Sequence, residues 1–503
     1  MKKKDTLKIL FIFIVIFSII IIKPISDLDE IWNYNTARAI SQGLIPYKDI
    51  SMITTPVLPM LTAIILKVIA NEIIVSRILA AILWTGILFT IYKIFNKIMK
   101  EENMSLIFTA LIGIICRDIY CIDYNVAVLF ITLTILYQEL KNIENAKKYD
   151  KKRDFMCGLL AGIAICTKQS IGVTLAIIVV GYKLMFVDSK EQFKEYVKTA
   201  ITRIIGILIP VLIFIVYLIV THSLVDFINY AVLGIKTFSN KINYMSLFSN
   251  DKIEIRILAL WMPISILVMS IALIITNIQK KENEIIDNLT TILVYGLAII
   301  IVMYPISDKI HFLIGGLIAI IGMLYMFFLL GKLVYDKING EKKLKKYKMG
   351  TSLIWLVMFA IILSIGLINL YNYAKNEKNT EIKHYKYIEM SQGLKDKIKS
   401  IDNYILEAER NGNRVYILDA EAAIYMIPID RYNKDYDMFL KGNIGKDGEQ
   451  GQIEKIKQKN DNEIILVRKS NLKTNWQTPK EVVEYVRENL EKIGEINIFE
   501  IYK

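Results

Sequence analysis

The sequence predicts a polytopic α-helical membrane protein of about eleven spans with a small C-terminal α/β domain. Three observations carry this expectation. Apolar runs nearly free of charge, close to the length that crosses a hydrocarbon core, recur through the first three quarters of the chain; 312–331 and 353–368 are examples. Lysines and arginines collect in alternate loops between these runs. From about Asn372 the runs stop and charged residues take over. Of the 503 residues 54% are apolar without counting glycine, whereas soluble domains stay near 45–50% with glycine included. A wholly soluble enzyme and a disordered chain are excluded. Cys116, Cys121, Cys157 and Cys166 all fall in apolar segments, so no disulfide framework is indicated. The formal charge of +13 is assigned to loops on the cytoplasmic side, not to a nucleic-acid surface.

The elements follow in order. Span 1 covers about 7–22 behind the basic MKKK, and no small-residue cleavage site follows, so it is read as uncleaved. A mixed stretch, 23–72, comes next. It holds a surface helix over 28–42, a break at Gly43 and Pro46, and an apolar segment, 56–70, laid on the outer face. Spans 2 to 11 fall at about 73–92, 104–119, 124–139, 156–167, 170–187, 200–220, 255–277, 288–304, 310–331 and 350–371. With this threading the cytoplasmic segments hold 26 Lys and Arg and the outer segments nine. Letting 56–70 span would invert every later loop and put the basic segment 335–348 outside, against that bias. The membrane domain is therefore 1–372. Residues 373–503 form an extracytoplasmic domain of a multi-pass cell-membrane protein whose N-terminus is cytoplasmic.

In the C-terminal domain, 384–412 has helical apolar spacing and stops at Gly412. Segments 414–420 and 462–469 read as buried strands, 478–492 as a helix opened by Thr478 and Pro479, and 495–503 as a closing strand. The glycine-rich 441–451 lacks the order and spacing of a dinucleotide loop and reads as a solvated loop. Asp430 and Arg431 read either as plain loop residues or as residues that touch an acceptor.

The residues that carry chemistry gather at outer span ends. Asp27, Asp29 and Glu30 directly follow span 1. Such carboxylates either cap and charge the first turn of the helix 28–42 or act as a general base or substrate clamp. Tyr47 and Asp49 sit in the turn after that helix.

An acidic pair after the first span, a helix ending in GLIPYKD (43–49) and a proline-containing apolar segment resemble the GT-C membrane glycosyltransferases. These include the protein O-mannosyltransferases and the lipid A aminoarabinose transferases. The resemblance covers roughly 1–372. It implies a GT-C-like fold with juxtamembrane helices after the first span. It implies transfer of a sugar from a polyprenyl-phosphate-linked donor to a glycan, lipid or protein acceptor at the outer face. Membrane lipids are then the surroundings, and nucleic acid is not a partner.

The resemblance also gives later segments a place. In RDIYCIDYN (117–125), Asp123 and Asp118 match the position of a second outer acid; from residue types alone, Asp123 caps span 4 and Asp118 pairs with Arg117. In GLLAGIAICTKQS (158–170), Lys168 matches a lysine that faces the carrier phosphate; alone, it is a lysine snorkelling to the interface. In YPISDKIH (304–311), Tyr304, Asp308 and His311 lie where family members carry a proline followed by a basic residue or histidine near the sugar phosphate. Asp308 and His311 are three apart and meet if the segment is helical. The outer loop 221–254 is aromatic and poor in charge, and reads either as a lipid-surface segment or as interfacial packing.

The expected chemistry is inverting transfer, with Asp29 as base, Asp27 capping the helix, Glu30 in support and Lys168 meeting the leaving phosphate. No HExxH, CxxC or paired-histidine pattern occurs, so no cofactor is obligatory, and a divalent metal is left open. The alternative is a transporter or lipid flippase. That would place charges inside the spans and paired broken segments in two related halves, and the sequence shows neither pattern.

The threading makes a direct prediction. A cysteine introduced at Ser400 is expected to react with a membrane-impermeant thiol reagent in intact cells. Labelling only after lysis would place residues 373–503 inside and reverse the sidedness.

Overall fold

The computed structural model describes residues 3–25, 28–143, 148–238, 241–279, 283–339 and 344–503. Of the candidate residues, Asp27 lies outside this set, and so do the first two residues of the basic N-terminus.

The chain runs through α1 (Lys3–Ile21), α2 (Leu28–Ser41), α3 (Val57–Val68), α4 (Ile73–Met99), α5 (Glu102–Ile115), α6 (Tyr124–Lys141) and α7 (Lys151–Ile165). Then come α8 (Gln169–Gly181), α9 (Lys190–Val220), α10 (Leu224–Phe227), α11 (Ile253–Gln279), α12 (Glu284–Ile299), α13 (Lys309–Asn339) and α14 (Leu344–Lys375). Each expected span falls on one of these helices: α1, α4–α9 and α11–α14. Among the described residues, seven (α4, α8 with its extension to Phe186, α9, and α11 to α14) are long and apolar enough to cross a membrane. The 12 residues of α3 rise only about 18 Å, short of a hydrocarbon core of about 30 Å.

Trp84, Ile87, Ile91 and Phe95 of α4 lie in the buried centre of the bundle. Residues such as Ile213 and Val216 on α9, and Leu356 and Ile361 on α14, leave apolar faces uncovered, as lipid-facing helices do. Helices α7 and α9 approach backbone to backbone. A Cβ on Gly158 would stand 2.2 Å from the Arg203 carbonyl oxygen, and one on Gly206 2.6 Å from that of Phe155. Only glycine fits such a contact, the usual means by which helices associate where lipid removes the hydrophobic drive. Beside it, Arg203 pairs with Glu139 at 2.6 Å and Asp154 at 2.7 Å, and Lys183 pairs with Asp154 at 3.1 Å. Two cations and two anions thereby neutralise one another where α6, α7 and α9 meet.

The C-terminal domain holds α15 (Gln392–Arg410), β1 (Arg414–Leu418), α16 (Ala422–Met426), α17 (Gly448–Lys457), β2 (Glu463–Arg468), α18 (Lys480–Asn489), β3 (Lys492–Ile496) and β4 (Phe499–Tyr502). The sheet order is β1-β2-β4-β3. Strands β1 and β2 are parallel, with Val415 opposite Ile464, and the other two pairings are antiparallel. Ile398, Ile401 and Ile405 of α15 pack into a core that also takes Ile31, Tyr34 and Ala37 of α2. The boundary at 372 thus divides the sequence but not this core.

Four expectations need correction. The helix expected at 384–412 starts at Gln392, because the Asn379 side chain ties 379–388 into a loop, donating to Ile382 O at 3.0 Å and Tyr385 O at 2.9 Å. The helix expected at 478–492 spans only Lys480–Asn489 and has no side-chain cap. The closing strand is the hairpin β3–β4, turned at Asn497, whose φ is +48°. The glycine-rich segment 441–451 is not a solvated loop throughout: 442–445 and Gly448 are buried, while Lys446, Asp447 and Gln450 are exposed. It packs on the outer loop, with Lys446 N donating to Asn229 Oδ1 at 2.9 Å, and becomes helical from Gly448.

Gly158→Ala is expected to lower the melting temperature in detergent by the equivalent of about 1–3 kcal/mol, because the new methyl meets backbone. Gly181→Ala, where a Cβ meets nothing within 4 Å, is the control and is expected to melt like the wild type.

Candidate active site

One short helix organises the site. Asp29, Trp32, Asn33 and Thr36 recur at helical spacing on α2 and so share one face. That face lines a narrow cleft. Opposite stand Ser51 to Thr54, Pro59 of α3, Tyr124 at the start of α6, and Tyr432, Asp437 and Met438 of the C-terminal domain.

The other faces of α2 are pinned. Both oxygens of Glu30 are held by the buried Arg77 guanidinium, at 2.8 and 2.9 Å. Arg38, wholly buried, donates to Asn35 Oδ1 at 2.8 Å and to the Arg431 carbonyl at 2.7 Å, and lies 3.4 Å from Asp430. The Trp32 indole N–H donates to the Ala420 carbonyl at 3.0 Å. Asp430 is a hub, not a plain loop residue. It takes Lys383, His384 at 2.7 Å and Gln42 at 2.6 Å; burial would raise its carboxyl, but these partners hold it at about 2.

Lys168 lies at the back of Tyr124. Its Nζ donates to Asn125 Oδ1 at 2.6 Å and sits 4.6 Å from the centre of the Tyr124 ring. Asp123 caps α6, accepting from Asn125 N at 2.7 Å and Val126 N at 3.3 Å. Burial lowers the Lys168 ammonium to about 8, and the nearby Asp123 and Asp29 carboxylates act against it. Asp29, Asp123 and Lys168 are therefore brought together around Tyr124.

The remaining candidates are placed elsewhere. Glu30 faces Arg77, with both oxygens taken, and fixes the helix instead of facing the cleft. Tyr47 is fully buried; its hydroxyl donates to Thr54 O at 2.7 Å and its ring meets Phe227 edge-on. Asp49 accepts from Ile45 N at 2.8 Å and closes the turn. Tyr47 and Asp49 lie behind the 51–54 wall and are not among the residues that line the cleft. Asp118, Tyr304, Asp308 and His311 do not line the cleft. Asp118 holds Lys252 and Lys309, which outweigh burial and keep its carboxyl at about 2, while Arg117 stands 3.8 Å away. Asp308 takes His311 Nδ1 at 2.8 Å; burial would raise its carboxyl, but His311 holds it down. Tyr304 is 71% exposed.

Sequence reasoning missed Trp32, Asn33 and Thr36, although their spacing from Asp29 was there to read. It missed Tyr124 and Asn125 beside the Asp123 it chose. Tyr432 and Asp437 carry no local signal, because only the tertiary fold brings their loop to α2.

No family model matches the sequence, and no curated protein does. Solved structures match over its whole length. ArnT from Cupriavidus metallidurans in the apo state superposes with a TM-score of 0.54 at 10% identity, covering 99% of this chain and 97% of that one. This is the GT-C fold. ArnT bound to undecaprenyl phosphate gives 0.54 at 11% identity with the same coverage. An oligosaccharyltransferase from Archaeoglobus fulgidus, tethered to an acceptor peptide, aligns over 85% of this chain and 63% of that one, with a TM-score of 0.46 at 10% identity. The GT-C-like architecture implied by the segments after span 1 is thus borne out, and two short helices, α2 and α3, follow α1.

In this GT-C frame, Glu30→Gln is expected to lower stability by about 3–5 kcal/mol, because it leaves Arg77 buried and uncompensated. Asp29→Asn is expected to move the melting temperature far less. Equal shifts would put Asp29 among the residues that hold the helix.

Proposed function

We propose that the chain is an inverting glycosyltransferase that moves a sugar from a polyprenyl-phosphate carrier to an acceptor at the outer face of the cell membrane. Its role is in cell-envelope glycan or glycoconjugate synthesis. The observation that carries this reading is the placement of Asp29 in the cleft lining, with the part-buried Lys168 ammonium behind the cleft-lining Tyr124. The match to ArnT, solved with undecaprenyl phosphate, supports a lipid-phosphate donor. The asymmetry of loop charge supports a cytoplasmic N-terminus and an outer C-terminal domain.

The scheme is a single displacement. The acceptor oxygen attacks the anomeric carbon as the bond to the carrier phosphate breaks. Asp29 takes the acceptor proton, and the charge that develops on the departing phosphate is met by Lys168. A phosphate monoester departs without metal assistance in this scheme, so transfer is expected to survive EDTA.

Purified protein is to be given labelled undecaprenyl-phosphate sugars with an envelope extract as acceptor source, and released undecaprenyl phosphate measured. Asp29→Asn is expected to cut turnover roughly 10²-fold or more with the melt intact. Lys168→Met should raise the donor KM, and Lys168→Arg should be partly active. Wild-type transfer should fall as pH rises through about 8, where Lys168 loses its proton, and Lys168→Arg should lose that limb. Near-normal turnover in Asp29→Asn would place the base elsewhere; absence of release with every donor would sink the reading.

A further inference from the structure

The outer loop makes three ties from three consecutive residues, and the displacement scheme uses none of them. Ile228–Leu233, directly after α10, is a π-helical turn. Such turns are rare and recur at functional sites. The Asn229 side-chain oxygen accepts from Lys446 N at 2.9 Å. The Tyr230 hydroxyl donates to the Asp435 carboxylate. The Ala231 carbonyl accepts from the Gln169 amide at 2.9 Å. Asn229 and Tyr230 thus hold the C-terminal domain, and Ala231 holds the residue next to Lys168. Tyr230 and Ala231 are buried while Ile228, Val232 and Leu233 are uncovered, so the turn is held from one side.

Each end of this link continues to the cleft. The second bond from the Gln169 amide goes to Ile53 O at 2.8 Å. Beside it, Thr55 Oγ1 donates to Ile165 O at 2.8 Å and Val57 N to Cys166 O at 3.0 Å. The turn that carries Lys168 is therefore stitched to segment 51–57, whose Ser51 and Ile53 line the cleft. At the other end Asp435 N donates to Ser51 Oγ at 2.6 Å, and Asp435 lies between Tyr432 and Asp437 of the lining. The glycine-rich segment lets the outer loop come this close. Gly442 has a φ of +89°, and a Cβ there would stand 2.7 Å from the Phe238 ring.

We propose that the turn 228–233 is the link that sets the turn carrying Lys168 against the C-terminal wall of the cleft, and that Gln169 is its positioning residue. The positioning role rests on the transfer reading; the link between the two walls does not.

The test pairs hydrogen exchange with transfer kinetics on the purified full-length protein. Gln169→Leu leaves the Ile53 and Ala231 carbonyls without their donor. Amides of the C-terminal wall, such as Asp435 N and Asp437 N, are expected to exchange at least tenfold faster, although Gln169 bonds to neither. Tyr230→Phe cuts the link at the other end and is expected to speed exchange at Val57 N, which it does not touch. Thr174→Ala, on the same helix as Gln169, is the control and is expected to exchange like the wild type. In the transfer assay Gln169→Leu should raise the donor KM and move the alkaline limb upward from about 8, because a loosened turn exposes Lys168. A role in stability alone would lower the melting temperature and leave that limb in place. Wild-type exchange at the C-terminal wall in Gln169→Leu, together with wild-type exchange at Val57 in Tyr230→Phe, would overturn the link. Faster exchange with an unmoved donor KM and limb would overturn the positioning role. Coupled exchange in a protein that turns over no donor would sink the transfer reading and leave the link standing.

Discussion

Two buried arginines hold one helix, and the cleft depends on both. Arg77 fixes the start of α2 through Glu30, against the bundle. Arg38 fixes its last turns through Asn35, Asp430 and the Arg431 carbonyl, against the C-terminal domain. Guanidinium suits this work because its planar fork gives two directed bonds at once and keeps its charge when buried. With two sides pinned, the third side of α2 has a fixed position, and Asp29, Trp32, Asn33 and Thr36 lie along it.

The charges around this helix are segregated. Lys168 sits behind Tyr124, while the cleft lining itself holds carboxyls and neutral groups. The other cations named as candidates or beside them, Lys252 and Lys309, are engaged by Asp118 away from the cleft. The deep charges of the bundle, Arg203, Lys183, Glu139 and Asp154, cancel within one cluster. Among the described residues, the groups named here form separate clusters and not a row leading across the bundle.

Much of the architecture was legible because membrane insertion is governed by local properties. Run length located the helices of the bundle, and loop charge kept 56–70 out of the span list, where the structure has α3 of only twelve residues. Legibility failed where distant segments decide the outcome. Tyr47 looked like a turn residue open to substrate, and is buried because Phe227 and Thr54 close over it. The segment 441–451 reads as solvated by composition, and the outer loop covers part of it. Asp29 and Lys168 were visible through their positions next to spans. Asp437 was not: its partner Asn35 is 402 residues away, and no pattern near Asp437 announces that contact.

The core shared by α2 and the C-terminal domain has a consequence for the birth of the protein. Ile31, Tyr34 and Ala37 leave the ribosome early, whereas Ile398, Ile417 and Leu466 of the same core come hundreds of residues later. During synthesis the bundle can insert while this helix still waits for its covering. A chain interrupted before Tyr432 has its spans but lacks the C-terminal residues of the cleft wall. The cleft is therefore complete only once Tyr432, Asp437 and Met438 have been made and placed against α2.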